Sequence, residues 1–518
     1  MDRLVDMMGG MTSRLVRPLA LSLALLHGSL AAQEAPSREG MPSSLTLEQA
    51  IEIARGSNPG LRQTRNDAGL ADWDVREAYS RFFPMATASG GVQWQGAGEQ
   101  QLGGSLTLGD LGFGNQPSYY LSNYRLGLTY SLDWATLKGP ARAKSQRRVT
   151  QEQIGAAEAN LGTQVTNAYV EVLRREEALR VARLQLENSE YNLRLAQAQL
   201  EVGAVTGIDV GQAEVQVGRS RVQVLQAENG VETAHLRLLQ QLGQPIGELR
   251  DQPFQLTTQF GLTEPAWDIE SLEAMALQSN PTLRTRRASR ASADVGVSVA
   301  KSGYMPSLSL STAWSGFTRE ASSTDFQVAQ AQQQVASSIA QCIATNDLYA
   351  RLANPLPPLD CSRFAFTDTQ RQRIISQNDQ FPFGFEQSPM TVSLQLSIPI
   401  FQGLGRERNL EAARLQREDM IEQVREQEIA LEADIAIGLA NARTAYQSAL
   451  IEESNRALAD QQLRLARERY QLGEITFVDL VAAQTVLAQA EADRIGAVFA
   501  YHDLVTSLEA LVGTPLRN

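Results

Sequence analysis

Between Leu161 and Leu200 the apolar residues recur at alternating spacings of four and three. The positions are Leu161, Val165, Ala168, Val172, Leu179, Ala182, Leu186, Leu193, Ala196 and Leu200, broken only by Arg175 and Ser189. The same register returns 270 residues later, from Leu431 and Ile435 through Ala442, Ala449, Ala459 and Leu463 to Tyr470, with Glu452 and Arg456 among the breaks. A third run follows the first: Val210, Ala213, Val217, Ser220, Val224, Ala227, Val231, Ala234 and Leu238. A sustained seven-residue repeat predicts helices packed as left-handed coiled coils. The elements are two helical hairpins, 137–242 and 405–512, each turning near a Gly: Gly203 and Gly473. At about 1.5 Å per residue, a helix over 137–202 spans roughly 100 Å, far beyond a globular helix. Helices alone would equally describe a fibrous scaffold.

Elsewhere the period drops to two. Met390, Val392, Leu394, Leu396, Ile398 and Ile400 alternate with Thr391, Ser393, Gln395 and Ser397. Tyr124, Leu126, Leu128, Tyr130 and Leu132 alternate with Arg125, Gly127, Thr129 and Ser131. Leu308, Leu310 and Trp314 alternate with serines, and 85–95 shows a weaker version of the pattern. These runs predict four strands, about 84–96, 120–134, 304–317 and 389–401. Such alternation suits a membrane barrel with lipid outside and a wet lumen inside. It also suits a half-buried sheet over a soluble core. The Ser- and Thr-rich inner face and the lack of a second layer to cover the sheet favour the barrel. Four strands cannot close a barrel, and an open edge cannot stand in lipid. A membrane reading therefore requires several chains to share one barrel.

The chain is written twice. Leu47-Glu-Gln-Ala-Ile-Glu-Ile-Ala54 with Ser57-Asn58-Pro59 corresponds to Ile269-Glu-Ser-Leu-Glu-Ala-Met-Ala276 with Ser279-Asn280-Pro281, at an offset of 222. Gly203-Ala-Val-Thr-Gly-Ile-Asp209 corresponds to Gly473-Glu-Ile-Thr-Phe-Val-Asp479 at an offset of 270, as Leu242-Gly243 does to Val512-Gly513. The repeats run 44–247 and 268–516, joined by a 248–267 connector. The growth in offset places an insertion in the second copy, mainly 318–388. It is expected to hold a helix near 326–353.

Residues 14–32 place two arginines ahead of an apolar stretch, with small residues at Ser29, Ala31 and Ala32. This is a secretory signal, assigned to 1–32, that exports the chain. No Cys follows the cleavage site to carry a lipid anchor. Cys342 and Cys361 are the only cysteines; in an oxidising compartment an even pair favours one disulfide over two buried thiols. The mean hydropathy of −0.24 excludes a polytopic helical membrane protein. A net charge of −12 argues against a nucleic-acid partner.

The tandem repeat, the segments Leu128-Thr-Tyr-Ser-Leu-Asp133 and Leu396-Ser-Ile-Pro-Ile-Phe401, and the two tip segments together resemble the TolC family of outer-membrane efflux channels. The resemblance runs over about 44–516. It implies a homotrimer in the outer membrane of a Gram-negative-type cell, surrounded by outer-membrane lipid. Each chain would give four strands to a shared β-barrel and a hairpin pair to a periplasmic coiled-coil barrel. The short repeat helices and 244–268 would form an equatorial region. The implied partners are a periplasmic adaptor and an inner-membrane pump or ABC exporter. Asp479 matches a pore-lining aspartate, so three copies would form an acidic ring favouring cations. Tyr470 matches a tyrosine that ties hairpins shut, with Asp209 as its acidic partner. Two family positions depart: Ala482 stands where a second aspartate is expected, and Ile475 where an arginine completes the latch. The tip residues Gly203, Ala204, Val205, Thr206, Gly473, Glu474 and Thr476 resemble the surface that adaptor hairpins engage. For both aspartates, plain helix capping is the competing reading.

Little points to chemistry. His235 and His502 have no ligand partner at i+3 or i+4, so no metal site or cofactor is expected. Gly403-Leu404-Gly405 lacks the third glycine of a dinucleotide loop and reads as a strand-to-helix bend. The expected function is therefore an exit duct for efflux or type I secretion and not an enzyme. The alternative is a periplasmic coiled-coil adaptor or scaffold with a soluble β-domain.

Overall fold

A computed structural model describes residues 42–98, 116–245, 247, 254–258 and 260–517. The signal assigned to 1–32 and the connector residues 248–253 and 259 lie outside them.

Each repeat opens with two short helices: α1 (Leu47–Ser57) and α2 (Pro59–Ser80) in the first, α5 (Ile269–Ser279) and α6 (Pro281–Ala300) in the second. The break between them follows from Asn-Pro. Asn58 and Asn280 are extended, and their side chains cap the next helix at Leu61 N and Leu283 N. Proline then takes the first helical position, where its missing N–H costs nothing.

The same asparagines reach the far ends of the hairpins. Asn58 Nδ2 donates to Gln241 O (2.9 Å) and Asn280 Nδ2 to Leu511 O (2.8 Å). The two motifs that mark the repeat are thus one packing site, built twice. Gly243 and Gly513 complete it with φ of 71° and 79°. A Cβ on Gly243 would stand 2.7 Å from Ser57 O, and one on Gly513 2.5 Å from Ser279 O, so only glycine fits.

The strands are β2 (Met85–Gln95), β3 (Tyr119–Leu132), β5 (Ser307–Ala321) and β7 (Thr391–Ser397), paired antiparallel in the order β2-β3-β5-β7. The two-residue β1 (Ser44–Leu45) and β4 (Gln255–Leu256) pair separately in parallel. Register sets the faces. Tyr130 pairs with Leu310, which pairs with Leu394; Leu132, Leu308 and Leu396 form the next apolar row. Between them lie polar rows, Thr129–Ser311–Ser393 and Ser131–Ser309–Gln395. Ser311 and Ser393 hydroxyls are 2.7 Å apart. One face of the sheet is therefore oily and the other hydroxylated.

Two strands differ from their expected bounds. The third runs to Ala321 because Thr318–Ala321 stays paired with Tyr119–Ser122 of β3, while Glu386–Gln387 (β6) returns to pair with Gly316 and Phe317 on its other side. The fourth stops at Ser397. Pro399 cannot donate to a ladder, and Arg406 instead takes the carbonyls of Pro399 (2.7 Å) and Ile400 (2.9 Å).

The insertion is more structured than one helix. It holds α7 (Asp325–Ala350) and α8 (Asp368–Asn378), and a disulfide joins Cys342 to Cys361. Asn378 pins its base to β5, accepting from Ala321 N and donating to Ala321 O. Phe385 packs edge-on to Tyr124.

The long helices are α3 (Trp134–Glu201), α4 (Gly207–Leu242), α9 (Gly405–Gln471) and α10 (Phe477–Val512). They lie in one layer in the order α4, α3, α10, α9. Nearer the sheet the order is α2, α3, α6, α9. Leu238, Leu242, Val165 and Tyr169 core the first repeat, where Tyr169 Oη donates to Leu45 O (2.8 Å); Leu272, Leu431, Ile435 and Leu508 core the second.

Candidate functional site

The two hairpin tips are built by the same local rules. At the first, Gly203 N–H bonds Leu200 O and Ala204 N–H bonds Gln199 O; at the second, Gly473 N–H bonds Tyr470 O and Glu474 N–H bonds Arg469 O. This is a Schellman ending with glycine at φ 75° in both. The returning helices start on Thr206 and Thr476. Asp209 Oδ2 accepts from Thr206 N (2.8 Å) and Oγ1 (2.7 Å). Asp479 Oδ2 accepts from Thr476 N (2.9 Å) and Oγ1 (2.6 Å). Each carboxylate is thus held by a capping box. The threonine hydroxyl first, then its backbone N–H, keeps both carboxyls below the usual range, so both stay charged.

Gly203, Ala204, Thr206, Gly473, Glu474 and Thr476 are exposed and Val205 is half-buried. Asp479 lines a surface groove with Leu458, Leu465, Ile475 and Ala482.

Tyr470 is 2% exposed, its ring 5.9 Å from Phe477 within a cluster of Ala196, Ala213, Leu463, Leu480 and Ala483. Its hydroxyl has no hydrogen-bond partner among the described residues. Burial, then the charge of Asp209, pushes that hydroxyl's pKa up. Tyr470 and Asp209 are therefore electrostatic neighbours without a hydrogen bond between them in one protomer. The physical reason is that the carboxylate is turned to Thr206.

Other contacts tie the hairpins together here. Gln199 Nε2 donates to Tyr470 O (3.4 Å), Arg467 to Asn188 (2.7 Å) and Gln471 to Tyr191 (3.3 Å). Sequence reading missed Phe477, which occupies the place of Gly207 in the first copy. The heptad breaks did carry signal. Ser189 and Ser220 hydroxyls meet at 2.9 Å inside the first hairpin. Arg456 donates to Glu491 (2.8 Å) inside the second.

The histidines sit apart from the tips. His235 Nε2 lies 3.2 Å from Glu176. His502 is buried, and that burial, reinforced by Arg517, lowers its pKa to about 4.

A family model described as outer membrane efflux protein matches residues 50–244 and 272–514. The pyoverdine export outer membrane protein OpmQ of Pseudomonas aeruginosa is 28% identical over 203 residues, 38% of this chain and 42% of that protein. Outer membrane protein TolC of Vibrio cholerae is 28% identical over 188 residues, 36% of this chain and 42% of that one. The chain spans about half the length of the curated relatives it matches. Among solved structures, the Campylobacter jejuni CmeC outer membrane channel superposes with a TM-score of 0.65 at 15% identity, covering 93% of this chain and 92% of that one. That likeness concerns the fold.

Proposed function

The chain belongs to the outer membrane efflux protein family, and on that premise we propose that three copies close into one duct through the outer membrane and periplasm. The observation that carries the reading is that, among the described residues, sheet and helical layer both end in free edges. The sheet is bounded by β2 and β7, the lower helical layer by α4 and α9. Both edge helices carry exposed apolar residues at seven-residue spacing: Ile208, Val215 and Val222 on α4, and Ile451, Leu458 and Leu465 on α9. Apolar stripes at this spacing match a coiled-coil seam. In the assembly, α4 of one protomer meets α9 of the next, and β7 meets the next β2.

The oily face of the sheet then meets lipid. Val392, Leu394, Leu396 and Ile398 are all more than half exposed, which a soluble β-domain would have to cover. This weighs against the scaffold alternative.

The duct does no chemistry of its own. Asp479 from three chains forms an acidic ring that favours cations. The exposed tips around Gly203 and Gly473 receive a periplasmic adaptor, which couples the duct to an inner-membrane pump or exporter. Single-channel conductance of detergent-extracted protein in a planar bilayer, with its mass measured on the same sample, tests the reading. A conducting, cation-preferring trimer is the expected result. A protein soluble without detergent and silent in the bilayer would restore the scaffold.

A further inference from the structure

Arg494 on α10 faces both hairpins at once. Its guanidinium lies 2.8 Å from Glu177 on α3, 3.5 Å from Glu453 on α9 and 3.4 Å from Glu491 on its own helix. Arg494 is one-fifth exposed and Glu491 about one-tenth. The two closer carboxylates are also held from behind. Arg180 bonds Glu177 at 2.6 Å, and Arg456 bonds Glu491 at 2.8 Å. Arg180 first, with help from Arg494, keeps Glu177 below the usual carboxylate range. Each hairpin thus presents an anchored carboxylate, and Arg494 is the cation they share.

We propose that Arg494 and Glu177 form a charge clasp that holds the two hairpins of a protomer together and sets the resting aperture of the tips. The inference rests on the duct reading above. Arg494 stands roughly 20 Å along α10 from Asp479, at about 1.5 Å per residue. The contacts nearer the tip are hydrogen bonds to neutral acceptors or from neutral donors. Ile475 leaves the tip without the arginine that the resemblance leads one to expect. Charge-to-charge cohesion between the hairpins is found at Arg494 instead. Taking the guanidinium away leaves Glu177, Glu453 and Glu491 around one point. With Arg180 and Arg456 still in place the cluster then carries three carboxylates against two arginines, so it loses its shared cation and gains an uncompensated, partly shielded negative charge, which loosens the seam.

The test is resting conductance in planar bilayers of purified trimers carrying Arg494→Gln, Glu177→Gln, both together, or Arg494→Lys. Arg494→Gln should raise resting conductance severalfold, and Arg494→Lys should hold it near wild type. The double variant should conduct less than Arg494→Gln alone, because one repelling carboxylate is gone. A residue that only stabilises the fold would lower the unfolding temperature without this pattern. Trimeric Arg494→Gln with wild-type conductance would overturn the clasp. If that variant does not assemble, Glu177→Gln, which preserves shape, carries the test: unchanged conductance there overturns it as well. A wild-type protein without any conductance would remove the duct reading, a distinct failure from an Arg494 variant that behaves like wild type.

Discussion

The two hairpin tips share one turn and differ in what packs against it. Both end on a glycine at φ 75° and restart on a Thr–Asp capping box. Yet Leu200 at the first tip is exposed while its counterpart Tyr470 is buried, and Phe477 is buried where the first tip has the exposed Gly207. The second tip packs on Ala196 and Ala213 of the first hairpin. Identical local chemistry thus serves two mechanical roles. One tip is a surface, and the other is a wedge seated against it. The lesson is that turn motifs set how a hairpin closes, not what it leans on.

Substitutions in the two tips should break this symmetry. The largest effect is expected at Phe477. Phe477→Ala should cost about 3 kcal/mol, the usual loss for a buried aromatic, whereas Ile208→Ala at the exposed tip should stay within about 0.5 kcal/mol. Thermal unfolding in detergent reads both, and equal losses would refute the wedge.

The return helices offer a second contrast, through pH. His502 is neutral in the folded protein with a pKa of about 4, against about 6.5 when unfolded. The unfolded chain therefore binds the extra proton first, and stability falls as pH drops from about 6.5 toward 4. The shift corresponds to roughly 3 kcal/mol per protomer at its limit. His502→Gln should flatten that part of the stability–pH curve; a curve unchanged by the substitution would show that other groups govern it.

The shared turn should respond alike in both copies. Thr206→Ala and Thr476→Ala should each cost about 1 kcal/mol by removing the cap. A loss confined to Thr476 would mean that packing, and not capping, holds the second turn. The smallest effect is expected for Tyr470→Phe. Its hydroxyl is buried without a partner among the described residues, so losing it should be neutral or slightly stabilising in the protomer. Resting conductance should rise for Tyr470→Ala and not for Tyr470→Phe. A rise with Phe would reveal a hydroxyl partner on the neighbouring protomer.

Much of this was legible in the residues. The long helices announce themselves through the heptad, and the strands through their alternation. Thr206 and Thr476, three residues before Asp209 and Asp479, form a capping signature readable without a structure. The second insertion helix was not anticipated, though Thr367 and Gln370 form a capping box there. Its apolar content is too low to give a period. Phe477 was overlooked because the residue after a cap can equally be exposed, as Gly207 is. Arg494 was overlooked because nothing local marks a charge on one helix as the partner of a charge 317 positions away.

By itself the sequence determined the periodicities, the duplication, the turns and caps, because each depends on residues within a few positions of one another. On a membrane reading it also required partners for the four alternating strands, since a barrel of four cannot close. Only the tertiary structure decided that α3 and α10 face each other within the chain, leaving α4 and α9 as its edges. It alone decided that Asn58 and Asn280 seat the hairpin roots, and that Tyr470 turns inward while Asp209 is held by its own threonine. These outcomes depend on which surfaces meet. Two copies of one pattern have no local means of telling which will be buried, because burial is settled by the neighbour a helix acquires when the layer assembles.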